Sequence, residues 1–345
     1  MTYGKYSHLT PYSHMRVLLS SDHQYPAANA HGSGLHPKKF PSGSGYILHD
    51  LLAKGLAELG NDVFYLVRRS SSNNAAPSGI TLVFEPVPDV DVLHTISGRD
   101  AALIDECRKP WVATCHMDER TRGRERDEIT QNWIFVSHTL AQLHSSDRYV
   151  WNGVDPAEYI YSETKDDYFL FMSTMDWGTQ KGLDVVLALS KQLGFKLVIA
   201  GTGESYERIG RVQEMCREVG AKYVGDVRGK EKAELLAGAK GFLFPTKLDE
   251  AFGLGMVEAL MSGTPVICSD RGACREIISS DVGFVCSTES DFAAAIEKIT
   301  QIDPRVCREK AMRDYHYRAM ATNYMREYEI ELDRTGVEQA HAAGV

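Results

Sequence analysis

The chain has 345 residues, of which 43% are hydrophobic and 25% charged. These values sit near the globular average and exclude a disordered chain, a collagen and a coiled-coil rod. The formal net charge is −9; the first 150 residues hold 15 basic and 16 acidic residues, leaving 23 and 31 to the rest. Neither part has the positive excess of a nucleic-acid binder or of a protein held on anionic lipid by charge alone.

The opening MTYGKYSHLTPYSH is polar and aromatic, without the apolar stretch of a secretory signal. No apolar run reaches 18 residues, so no transmembrane helix is expected, while peripheral membrane contact stays open. The short apolar run Met15–Ser21 predicts a buried strand. About 20 residues later, Tyr46–Leu59 carries apolar residues at helical spacing and stops at Gly60. The connection between them is far longer than is usual in such units, which suggests a substrate-contacting loop, with a disordered stretch as the alternative. Strands are then expected at Val63–Val67, Ile80–Phe84, Val90–His94, Trp111–Cys115, Trp133–Val136 and Tyr149–Val150. Helical segments near 99–107, 120–131 and 138–145 lie between them. Arg120, Arg122, Arg124 and Arg126 are interrupted by acidic residues and read as a solvated helix face.

The segment NGVDPAEYIYSETKDD is polar and rich in turn formers, and reads as an interdomain linker over 152–167. A second strand–helix series follows. Its strands are expected at Tyr168–Met172, Lys196–Ala200, Lys222–Val224, Gly241–Phe244, Pro265–Cys268 and Gly283–Cys286, and its helices near 182–193, 204–219, 230–238, 254–262 and 291–301. From Pro304 to about Arg334 one or two charged amphipathic helices are expected. Alternation of this kind predicts two α/β lobes, each a doubly wound parallel sheet, facing each other across a cleft. The seven cysteines are odd in number, lack a C-x-x-C pair and sit in apolar runs. They read as reduced core residues of a cytoplasmic protein.

The most informative stretch is FPTKLDEAFGLGMVEALMSGTPVICSDRGACREI, residues 244–277. A strand ends, a short loop holds Glu250, and a helix carrying Glu258 starts behind Phe252, Gly253, Leu254 and Gly255. Free amides at a helix N-terminus, with the positive end of the macrodipole behind them, bind anions. Carboxylates on either side of that point can accept hydrogen bonds from sugar hydroxyls. The combination suggests a sugar nucleotide.

Glu250-x7-Glu258 with its internal F-G-L resembles the E-x7-E signature of retaining glycosyltransferases of family 4 (the glycosyl transferases group 1), which have the GT-B fold. GTPVICSDRGACREI, PSGSGYILHDLLAKGLAELGNDVFYL, DVLH, VATCH, FVSH, YVWNGVD, FLFMSTMDWGTQKGLD and LVIAGTGE resemble further stretches of that family, in its order. The resemblance covers roughly residues 15–290. It implies an N-terminal acceptor-binding lobe over 1–151 and a C-terminal nucleotide-sugar-binding lobe over 168–310. A final helix within 311–345 would pack back on the first lobe. It implies that Glu250 holds donor-sugar hydroxyls and Glu258 ribose hydroxyls. The amides of Phe252 and Gly253 would face the sugar, and those of Leu254 and Gly255 the diphosphate. Gly43, Ser44 and Gly45 would approach the phosphates from the first lobe, and Lys181 would neutralise the leaving diphosphate. His116 would contact the donor sugar near the reacting carbon, and Val227 and Arg228 would pack the base.

By the same resemblance, transfer to an acceptor hydroxyl would proceed with retention, and no metal or other cofactor is implied. Asp89-Val90-Asp91 lacks the context of a metal-binding D-x-D, and no cluster has zinc spacing. His94 reads as strand-end structure, His138 as a helix start and Asn152-Gly153 as a turn. One departure stands out. The family carries an arginine before the lysine, and Ser173–Gln180 contains none. Thr174, Ser173 and Trp177 offer only neutral hydrogen bonds in its place. That keeps a non-catalytic sugar-nucleotide binder open beside the transferase, together with an epimerase or phosphorylase of the same fold.

Overall fold

The structure is a computed structural model and describes residues 14–27, 44–69, 76–87, 89–96, 100–118 and 131–342. The first series forms β1 (Arg16–Ser20), α1 (Ser44–Glu58), β2 (Asp62–Leu66), β3 (Ile80–Val83), β4 (Val92–Ile96), α2 (Ala101–Cys107), β5 (Trp111–Cys115), β6 (Trp133–Phe135) and α3 (His138–Leu143). The second forms β7 (Phe169–Met172), α4 (Leu183–Leu193), β8 (Leu197–Ala200), α5 (Tyr206–Val219), β9 (Lys222–Gly225), α6 (Gly229–Gly238) and β10 (Gly241–Phe244). It continues with α7 (Leu254–Met261), β11 (Val266–Ser269), α8 (Cys274–Ile277), β12 (Gly283–Cys286), α9 (Glu289–Lys298), α10 (Pro304–Asp314) and α11 (Tyr317–Ala342).

Each series closes one six-stranded sheet, in the orders β3-β2-β1-β4-β5-β6 and β9-β8-β7-β10-β11-β12. Counted from its own first strand, each reads 3-2-1-4-5-6, and the paired strands are parallel. The expected α/β class with two doubly wound parallel sheets is therefore the observed one. The order reverses direction between β1 and β4 and again between β7 and β10. Ligands of such sheets bind outside the strand ends at that reversal.

Some elements differ from expectation. Tyr149–Val150 is not a strand of the first sheet; Tyr149 makes only an isolated bridge to Phe135. Two residues with one neighbour on one side cannot sustain a ladder. β4 lies two residues later than its hydrophobic run suggested, because Val90 is buried beneath Leu93 and Leu103 without joining the sheet. α9 starts earlier, since Thr288 caps it and forms a reciprocal capping box with Asp291. α11 runs on to Ala342. The helix expected near 120–131, with its arginines, lies outside the described residues, as does most of the long loop after β1.

The helix pair α1 and α11 covers one face of the first sheet. Leu52 and Leu56 of α1 join Tyr324 and Tyr328 of α11 over Val17, Leu19 and Val92, all buried. Arg148 fastens α11 from below, 2.8 Å from Glu327 and 3.2 Å from the fully buried Glu331. His94 is a structural residue: its ring bonds the Tyr328 hydroxyl and Thr114 Oγ1, both at 2.7 Å. A second core joins the two sheets, running from Trp133, Phe135 and Leu140 through Tyr315 to Phe242, Met256 and Leu260. The seven cysteines are buried and form no disulfide.

Candidate functional site

Three loops leave the carboxyl ends of the second sheet and converge. After β7 the chain passes Ser173 and Thr174, makes a 3₁₀ turn over Met175–Trp177 and reaches Lys181 and Gly182. Gly182 has φ +90°, and a Cβ there would lie 2.1 Å from the carbonyl oxygen of Pro245. Only glycine lets this loop cross the end of β10 so closely. The crossing carries Lys181 to Glu250, and Lys181 Nζ lies 2.5 Å from Glu250 Oε2. The Glu250 backbone is itself held, its carbonyl accepting from the Ala273 amide at 2.8 Å.

Past Glu250 the chain turns into α7. Its N-cap is Gly253, at φ +95° and without a side chain that could occupy the first amides. Any other residue would be strained there, and a Cβ would meet Met256 Cε at 2.4 Å. The ring of Phe252 is buried against Tyr315, so only its backbone is available to a ligand. Leu254 and Gly255 line two adjoining cavities of about 670 and 280 Å³. One turn into α7, Glu258 lies between them. Its Oε1 accepts from Lys232 Nζ at 2.6 Å and from the Tyr159 hydroxyl at 3.1 Å.

Thr174 and Ser173 line the smaller cavity; Val227, Lys232 and Glu258 line both. Arg228 lines the larger one and is turned onto Asp226, its Nε 2.7 Å from Oδ2. The larger cavity is closed on its other side by Ile47, Leu48 and Leu51 of α1. It therefore lies between the lobes, with an apolar wall on the α1 side. No arginine enters from the loop after β7. Thr174 Oγ1 is engaged with Asp176 Oδ2 at 3.3 Å.

The first lobe contributes a second set. His116 follows β5, and a Cβ on Gly45 would lie 3.5 Å from its Cδ2 and 3.6 Å from its Nε2. The start of α1 thus lies against the imidazole. Burial lowers the pKa of His116 to about 4, so at neutral pH it is an uncharged donor and acceptor. His49 and Asn152 share a small cavity with it. Gly43 lies outside the described residues. Ser44 opens α1. The remaining residues named from the sequence fall into two groups: Gly45 with His116, and Thr174 with Lys181, Val227, Arg228, Glu250, Phe252, Gly253, Leu254, Gly255 and Glu258.

Sequence reasoning missed Lys232 and Tyr159. Lys232 is one of three lysine or glutamate residues in the first turn of α6, and nothing in GKEKAELL singles it out. Tyr159 fell in a stretch read as linker. Glu276 lies in GTPVICSDRGACREI, where the resemblance implies no role for it. It receives the His138 and Thr139 amides of α3 at 2.9 and 3.0 Å, together with the Trp151 indole. His138 begins that helix, as its sequence suggested.

Residues 160–317 match the family described as glycosyl transferases group 1. A phosphatidyl-myo-inositol mannosyltransferase of Mycobacterium tuberculosis is 26% identical over 307 residues, 81% of this chain and 77% of that protein. A D-rhamnosyltransferase of Pseudomonas aeruginosa is 26% identical over 266 residues, 69% of this chain and 66% of that one. Among solved structures, a glycosyltransferase involved in avilamycin A biosynthesis superposes with a TM-score of 0.70 at 24% identity, covering 92% of this chain and 98% of that chain. The Anabaena protein HepE in complex with UDP and glucose superposes with a TM-score of 0.65 at 13% identity, covering 91% and 99%. These likenesses carry the two-sheet fold.

Proposed function

From a chain whose residues 160–317 match the glycosyl transferases group 1, we propose a retaining transferase that moves a sugar from a nucleoside-diphosphate sugar to an acceptor hydroxyl. The observation that carries this reading is the N-terminus of α7. Its first turn is free of a capping side chain, and a carboxylate stands on either side, each held by a lysine: Glu250 by Lys181, Glu258 by Lys232. A diphosphate fits the helix end, a hexose fits Glu250 and a ribose fits Glu258. The relatives named for mannosyl and rhamnosyl transfer support a hexose or deoxyhexose donor. We place the enzyme in cytoplasmic carbohydrate biosynthesis.

Chemistry on this frame needs no enzymic nucleophile. The bond from the anomeric carbon to the diphosphate oxygen breaks. The acceptor oxygen bonds that carbon on the same face. The acceptor proton passes to the departing phosphate oxygen, giving a glycoside of unchanged configuration and a nucleoside diphosphate. The protein contributes orientation and stabilises negative charge on the leaving group. We assign that charge stabilisation to the α7 amides and Lys181, with Gly43, Ser44 and Gly45 approaching from the first lobe and His116 beside the reacting carbon. We assign no role to a metal.

The test is product analysis with UDP-, GDP- and ADP-hexoses and a panel of hydroxyl acceptors. Release of nucleoside diphosphate with formation of a glycoside, its anomeric configuration read by proton NMR as that of the donor, is the expected result. An inverted product would overturn the front-face mechanism. The absent arginine favours a second reading, a sugar-nucleotide binder without turnover. Nucleotide binding with no transfer across the whole panel would establish it, and acceptor-independent conversion of the donor would instead mark an epimerase.

A further inference from the structure

Three elements meet at Glu258. Tyr159 comes from the segment between the two sheets, Lys232 from α6 and Glu258 itself from α7. Both donors act on the same oxygen, Oε1, at 3.1 and 2.6 Å. The Lys232 ammonium also stands 5.8 Å from the centre of the Tyr159 ring. All three residues line the larger cavity. The rotation that orients a glutamate carboxylate is soft. Two charge-assisted bonds to one oxygen fix that rotation and leave the second oxygen, with its two lone pairs, as the remaining acceptor.

We propose that Tyr159 and Lys232 are positioning residues that present Glu258 Oε2 to a vicinal diol, and that the donor is accordingly a ribonucleotide sugar rather than a 2′-deoxyribonucleotide sugar. The inference rests on the donor-site reading above. A ribose offers two neighbouring hydroxyl donors to one carboxylate oxygen. A 2′-deoxyribose offers one, and leaves a buried charge-assisted acceptor half satisfied. A carboxylate free to rotate can turn to follow a single hydroxyl, so the discrimination depends on the two anchors. Lys232 has a further effect. It offsets the Glu258 charge where a diphosphate must approach, so its loss weakens both nucleotides in addition to narrowing the gap between them.

Isothermal titration calorimetry of the full chain with UDP against 2′-dUDP and GDP against 2′-dGDP tests this. For the base that binds, the wild type is expected to prefer the ribonucleotide by about tenfold or more, the worth of one hydrogen bond to a charged group. Tyr159→Phe and Lys232→Met are each expected to bring that ratio within about threefold, and Lys232→Arg to preserve it. A purely structural role would lower the unfolding temperature without moving the ratio. Should Lys232→Met fail to fold, Tyr159→Phe, which removes one oxygen, decides alone. An equal affinity for both nucleotides in the wild type, or a ratio unchanged in Tyr159→Phe, would overturn the proposal while leaving the donor site standing. No binding of any nucleotide by the wild type would overturn the donor-site reading and this inference together.

Discussion

Lys181 and Glu250 hold each other at 2.5 Å, and both are only partly exposed. In the proposed reaction Lys181 serves the leaving diphosphate. Lys181→Ala is therefore expected to lower kcat by roughly 10²–10³, the effect of removing one electrostatic donor to a developing charge. Steady-state kinetics with the preferred donor checks this, and full activity would refute the assignment. Buried histidines give a second prediction. Burial holds His94 at a pKa of about 3, against about 6.5 in an unfolded chain. A depressed pKa gives stability that is complete above pH 6.5 and declines as the pH falls toward 3, because only the unfolded chain takes up the proton. At pH 5 His94 alone should cost about 2 kcal/mol relative to pH 8. Unfolding midpoints at the two pH values should differ less in His94→Gln than in the wild type. Legibility varied from residue to residue. Glu250 and Glu258 stood out because a motif carried them, whereas Lys232 and Tyr159 act only through a contact between elements distant in sequence.

Elements were read well wherever burial left an apolar pattern, periodic on the helices and continuous on the strands. Each strand of the second sheet fell within about two residues of its hydrophobic run, since both faces of a parallel strand are covered. Boundaries set by capping, such as that of α9, or by register, such as that of β4, were less legible, because neither is a property of the apolar pattern. Two element-scale predictions follow from geometry. Gly182→Ala places a Cβ 2.1 Å from the Pro245 carbonyl at a positive φ. It should destabilise the fold by about 2–3 kcal/mol and displace Lys181, so that urea denaturation and donor KM change together. Glu276 caps α3 from across the lobe boundary, through the His138 and Thr139 amides and the Thr139 hydroxyl at 2.9–3.0 Å. Glu276→Ala leaves those amides without this acceptor and should cost about 2 kcal/mol. A midpoint equal to that of the wild type in urea would show that the lobes are not joined there.

At the scale of the whole molecule, the same strand order occurs twice, and the two reversals point their strand ends at one cleft. The repetition was visible as two strand–helix series. The return of α11 over α1 was implied by the family resemblance alone, and the core that runs unbroken from Trp133 to Leu260 was not legible in the sequence. Both depend on side chains more than a hundred residues apart. If the α7 N-terminus and Lys181 meet the diphosphate charge, activity should survive EDTA. The most direct test of the donor site is thermal denaturation with UDP, GDP, ADP and dTDP, each with and without magnesium, for the wild type and Glu258→Ala. A ligand at 100 times its Kd adds about 2.7 kcal/mol to stability. The account predicts that one ribonucleotide raises the midpoint of the wild type, with or without magnesium, and does not raise that of Glu258→Ala. No shift with any nucleotide, or an equal shift in both proteins, would contradict it.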